Sequence, residues 1–164
     1  MDNMPIKVVI LGSIPEAIFM LWAGLCLVEE DVSTKQVIGV GVLQGITSYF
    51  IRRYSPFGVH SIIHIITLIN YTYFIIKVRY RVAVISVLIS FVIVFLVEGT
   101  VTILMHVNVT HVFYMDWERV LLFLPHNFVL AGIVYVCKKH KYSLLEESVL
   151  LRKIVREPIL EKDY

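Results

Sequence analysis

The chain is written as long apolar stretches divided by short clusters of charged and turn residues. Residues 8–28 form the first stretch, which stops at Glu29, Glu30 and Asp31. A glycine-rich second stretch, 37–51, stops at Arg52 and Arg53. The third follows Tyr54-Ser55-Pro56-Phe57-Gly58 and continues to Ile76; the fourth is 82–104; the fifth, 120–137, is closed by Lys138 and Lys139. A hydrocarbon layer ~30 Å thick needs roughly 20 helical residues. The first and fourth stretches meet that, and the third and fifth lie near the lower limit. The second, at 15 residues, would reach only about 22 Å at the helical rise. Either Arg52 and Arg53 snorkel and extend a short spanning helix, the preferred reading, or the segment is re-entrant and packed inside the bundle. The pattern predicts an all-α, polytopic membrane helix bundle with about five transmembrane helices.

Composition agrees. Of 164 residues, 58% are hydrophobic and only 17% charged, with a mean hydropathy of +0.79. A water-exposed surface needs closer to a quarter charged residues, and one small core cannot hide this much apolar side chain. That excludes a soluble globular enzyme and a disordered chain. A net charge of +2 and a pI near 8.5 offer no basic face for nucleic acid. Cys26 and Cys137 both sit in apolar runs and form neither a disulfide framework nor a zinc pattern. The amino-terminal stretch is too long for a cleavable signal peptide and contains Pro15 and Glu16, so it is read as the first span.

Lysine and arginine set the expected orientation. With five spans, Lys7, Arg52, Arg53 and Arg119 share one side; Lys35, Lys77, Arg79, Arg81, Lys138, Lys139 and Lys141 share the other. The second side is expected in the cytoplasm, with the amino terminus outside and the carboxyl terminus inside. The mixed segment 105–118, with His106, His111, Tyr114 and Trp117, is expected along the outer interface. Two regions follow: a bundle over 1–141 and a juxtamembrane tail over 142–164. In the tail, Leu144, Leu151 and Ile154 form a short apolar stripe among Glu146, Glu147, Arg152 and Lys153. Such a helix suits the inner leaflet surface, or a homodimer or cytoplasmic partner that reads a signal.

Ionisable groups within spans are costly and therefore mark candidate sites. Glu16 lies beside Pro15, whose missing donor is expected to free a carbonyl one turn back, at Leu11 or Gly12. Glu98 lies deep in the fourth stretch. His60 and His64 share a face of the third at i, i+4, with Asn70 nearby, and His126 follows Pro125 beside Asn127. These seven residues, Glu16, His60, His64, Asn70, Glu98, His126 and Asn127, are the candidate ligand-binding set. Plain interhelical hydrogen bonding would explain them too, with the glutamates protonated or paired with histidine. The His60/His64 pair suits a zinc or iron face, but Ser61, Ile62 and Ile63 between them supply no glutamate of an H-E-x-x-H motif, and no metal or other cofactor is expected. Gly41 and Gly45 form a G-x-x-x-G with Gly39 adjacent, and with Gly58 they are expected to let helices approach closely. No nucleophile with a supporting base is evident.

The run ITSYFIRRYSPFGVHSIIHIITLI, residues 46–69, resembles the amino-terminal membrane region of bacterial sensor histidine kinases of the GHKL type. The resemblance rests on a helix ending in a basic residue, then a proline, then Phe57-Gly58-Val59-His60 opening the next helix. GSIPEAIFMLWAGL (12–25) and LFLPHNFVLAGIVYVCKKHK (122–141) are similar to that family as well. The resemblance implies a multi-helix input module that passes a signal to a cytoplasmic helix, with Phe57, Gly58, His60 and Glu16 as its marked positions. The chain ends at Tyr164 without a phosphoacceptor or ATP-binding domain, so no enzyme activity is expected. A non-catalytic sensor in a bacterial cytoplasmic membrane is the leading expectation. The alternatives are a small-molecule-binding subunit of a transporter and a structural assembly protein.

Overall fold

The computed structural model describes residues 6–54, 59–104, 116–140 and 142–156, and every regular element among them is helical. In chain order these are α1 (Ile6–Leu27), α2 (Thr34–Tyr54), α3 (Val59–Ile76), α4 (Tyr80–Leu104) and α5 (Asp116–His140), then the short α6 (Leu144–Glu147) and α7 (Val149–Arg156). Gly58, expected at a helix contact, Phe57, and most of the expected interfacial segment lie outside the described residues.

Three of these helices, α1, α3 and α4, are long and apolar enough to cross a membrane. Their outward faces carry large apolar side chains such as Phe74, Phe95 and Ile103, each more than half exposed. Such surface has no place in water at this density. The second helix differs from the sequence expectation in length. It runs 21 residues, through Lys35 and Gln36 at one end and Arg52 and Arg53 at the other, which gives about 32 Å of helix. The apolar run underestimates it because the helical hydrogen-bond ladder continues through polar residues as readily as through apolar ones.

The central helix is α1, which packs on α2, α4 and α5, while α3 bridges α2 and α4. Just over half of its apolar window is buried, 56% against 33% for α4. Contacts give the directions. Gly41 and Gly45 of α2 meet Ile18 and Ile14 of α1, and Gln36 and Gln44 of α2 meet Ile75 and Thr67 of α3, so both pairs run antiparallel. Ser90 of α4 meets Met20 of α1 while Glu98 and Glu16 share a neighbour in His126, again antiparallel. Trp22 and Glu16 pair with Lys138 and His126 of α5, so α1 and α5 run parallel. Leu21, Leu25, Val37, Val40, Leu68 and Leu130 fill the centre.

Small residues set the closest approaches. A Cβ at Gly41 would collide with the Ile18 side chain and lie 3.1 Å from its backbone nitrogen, and one at Gly45 would collide with Ile14. The G-x-x-x-G is thus the α1–α2 crossing. Gly39 is not part of it: it is exposed, with nothing within 4 Å of a Cβ position. A residue two positions from Gly41 is turned about 200° around the helix, which puts it on the far face. The α1–α4 crossing uses Gly24, against the Ser86 carbonyl and Ser90 Oγ. There Ser90 Oγ donates to the Met20 carbonyl at 2.6 Å.

Two segments are π-helical. In α1, residues Val9–Ser13 widen to a turn in which Ile14 N–H donates to the Val9 carbonyl. Pro15 follows immediately. Its ring would crowd a standard turn, and the wider one takes up the strain locally. Helix α3 closes through Thr72–Ile76 and stops at Lys77, which adopts a left-handed conformation with φ 63°.

Among its described residues the tail is two helices rather than one. Ser148 breaks it and caps α7, its Oγ accepting from Leu151 N–H at 3.3 Å. Val155 is buried in the main core with Leu151 packed beside it, while Ile154 is exposed. Part of the apolar stripe that would serve a dimer therefore lies on the chain's own bundle.

Candidate functional site

Glu16, Glu98 and His126 come from α1, α4 and α5 and meet between them. The His126 imidazole is fully buried, the Glu16 side chain is 12% exposed and that of Glu98 35%. His126 Nε2 lies 3.8 Å from Glu16 Oε1, and Nδ1 lies 3.4 Å from Glu98 Oε1. One donor atom from each residue can be chosen so that all lie within 4.8 Å of one another. Local sequence explains the placement. Pro15 and the π-turn before it fix the start of the regular part of α1, and Pro125 lies inside α5 next to His126. The half-buried Arg52 at the end of α2 is in electrostatic reach of both carboxyl groups.

His64 belongs to a different cluster, between α2 and α3. Its Nδ1 is 2.8 Å from Ser48 Oγ, and its carbonyl accepts from Gln44 Nε2 at 3.1 Å. Gln44 Nε2 also donates to Thr67 Oγ1 at 3.0 Å, and Thr47 Oγ1 and Tyr71 OH are 2.9 Å apart. His60 lies one turn before His64, half-buried. Asn70 satisfies its own helix, donating to the Ile66 carbonyl at 2.9 Å. Asn127 is buried beside His126 in sequence, and its Oδ1 meets no hydrogen-bond donor among the described residues.

The seven expected residues therefore do not form one set. The structure brings together Glu16, Glu98 and His126, ties His64 into the α2–α3 ladder, and leaves Asn70 on its own helix. Sequence reasoning missed Gln44 and Ser48, and read Arg52 as a snorkelling residue at the end of its span. Their spacing of four residues was the available signal: it places all three along one stripe of α2. That stripe carries the Gln44–His64 ladder at one end and Arg52 at the other.

Gln44 is fully buried and bonds twice across to α3. Interhelical hydrogen bonds in membranes average about 0.6 kcal/mol, and the emptied volume adds a cavity cost. Gln44→Ala should therefore lower stability by about 2 kcal/mol, read from reversible unfolding in mixed micelles. An unchanged midpoint would contradict the ladder.

Comparison with protein families, curated proteins and solved structures finds no match for the chain. The chemistry rests on the site. Two carboxyl groups and a buried imidazole are held together between three helices, with Glu98 the most exposed of the three.

Proposed function

We propose that the chain is a non-catalytic membrane module that receives a signal at Glu16, Glu98 and His126 and passes it to a cytoplasmic partner through the segment 142–156. One observation supports this above the rest: among the described residues, each of the three helices that supply the cluster also meets the tail. Helix α5 leads directly into it. Near the end of α1, the Leu27 carbonyl lies 3.5 Å from Ser143 Oγ, and at the start of α4, Arg81 Nη1 lies 3.4 Å from the Ile154 carbonyl. From Glu16 to Leu27 is about 16 Å along one rigid helix, so a change of helix packing at the cluster is carried to the tail.

In this reading five helices cross a bacterial cytoplasmic membrane. The tail lies in the cytoplasm, on the side of Lys35, Lys77, Arg79, Arg81, Lys138 and Lys139. The resemblance to the input regions of GHKL-type kinases is of the same kind: a bundle that drives a helix beyond it.

Hydrogen exchange on the full chain in lipid nanodiscs tests the coupling. Glu98→Gln, which removes a charge with little change of shape, should alter amide exchange across 142–156 by several-fold. Asn70→Ala, on a helix outside the cluster, should leave it unchanged. A tail indifferent to Glu98→Gln would refute the reading.

A further inference from the structure

Charge and donor chemistry together narrow what the cluster receives. Two carboxylates this close repel, and an apolar bundle does little to screen them. Arg52 lies within electrostatic reach of both groups. A cation held among the three side chains would relieve that repulsion directly.

We propose that Glu16, Glu98 and His126 bind one divalent transition-metal ion of the zinc class, which makes that ion the input of the module proposed above and rests on that reading for its signalling role. One imidazole nitrogen and two carboxylate oxygens make a three-ligand set that leaves a position open for water. The imidazole separates this site from magnesium or calcium, which prefer oxygen alone. Bonds of about 2.0–2.2 Å in a tetrahedral set place donor atoms roughly 3.3–3.6 Å apart, so separations of up to 4.8 Å must close by about 1.3 Å as the ion binds. His126 is fixed by burial, whereas the Glu98 side chain, 35% exposed, can swing in and marks the side of entry. The metal takes one imidazole nitrogen and draws both carboxylate oxygens in toward it. That movement brings α4 toward α1 and α5, the same helices that hold the tail.

The test uses the full chain in nanodiscs, stripped with a chelator and titrated with Co²⁺ and Zn²⁺. One Zn²⁺ per chain is expected by elemental analysis, together with the visible bands of low-coordinate Co²⁺. Loss of outer partners alone weakens metal sites roughly 10- to 100-fold, so His126→Gln and Glu98→Gln should each weaken binding at least that much. His140→Ala, at the exposed far end of α5, should bind as the parent does. If His126→Gln fails to fold, Glu98→Gln carries the test.

Absence of stoichiometric binding overturns the metal, as does binding that survives both cluster substitutions or that His140→Ala abolishes. A site filled by protons alone would give the first of these results. The two proposals fail separately. A tail that responds to Glu98→Gln in a chain that binds no metal removes the metal and leaves the input reading. Stoichiometric metal with an indifferent tail does the reverse.

Discussion

Replacing His126 with leucine should destabilise the bundle by about 3 kcal/mol, because it removes the buried imidazole that lies between the two glutamates. Deleting one partner of a buried polar contact costs about 1–3 kcal/mol where the group left behind is neutral and roughly 3–5 kcal/mol where it stays charged. The value where the two ranges meet applies here. Glu98 can turn outward, so the penalty falls chiefly on Glu16, whose side chain is 12% exposed. Leucine fills most of the imidazole volume, which keeps the cavity contribution small. Adding Glu16→Gln and Glu98→Gln to His126→Leu should recover most of the loss, to within about 1 kcal/mol of the parent, because no stranded charge remains. Unfolding in mixed micelles compares the single and triple variants. A single variant as stable as the parent would mean that the carboxyl groups do not depend on His126.

An opposite-sign pair of glycine substitutions should follow from helix spacing. Gly24→Ala places a Cβ against the Ser86 carbonyl and Ser90 Oγ. Carbonyl atoms of a helix cannot rotate aside, so α1 and α4 must part and the Ser90–Met20 bond must stretch. Overpacking of this kind costs about 1–3 kcal/mol, and the upper half of that range is expected because the obstacle is backbone. Gly132→Ala meets nothing within 4 Å and gains the helical preference of alanine, up to about 1 kcal/mol. The midpoints should therefore move in opposite directions. If Gly24→Ala is as mild as Gly132→Ala, the α1–α4 crossing is wider than described.

The apolar stretches made the helical class and the starts and stops of α1 and α4 legible, because hydrophobic length is read without knowing any contact. Gly41 and Gly45 were legible by spacing. Gly24 was not, since the serines that need it lie some sixty residues away on α4. The cluster shows the same limit. Glu16, Glu98 and His126 each stand out as polar groups in apolar runs, but their association depends on how three helices are rotated about their axes. His60 and His64 share a face of α3 by spacing, but spacing does not show that Ser48 of α2 engages His64. The break at Ser148 was overlooked although serine is a favoured first residue of a helix.

The attachment of α7 has a scale that suits a latch. Val155 is buried, Leu151 is half-covered, and Ile154 contributes little. At about 1.5–3 kcal/mol for a fully buried aliphatic side chain, these described side chains contribute a few kcal/mol to that attachment. Shifting a two-state equilibrium from nearly all closed to nearly all open takes about 5.5 kcal/mol of differential binding, and tenfold steps cost about 1.4 kcal/mol each. A grip this shallow sits within the range that a single bound ion can tip, whereas a tail buried along its whole length would stay shut whatever occupied the other end of the bundle.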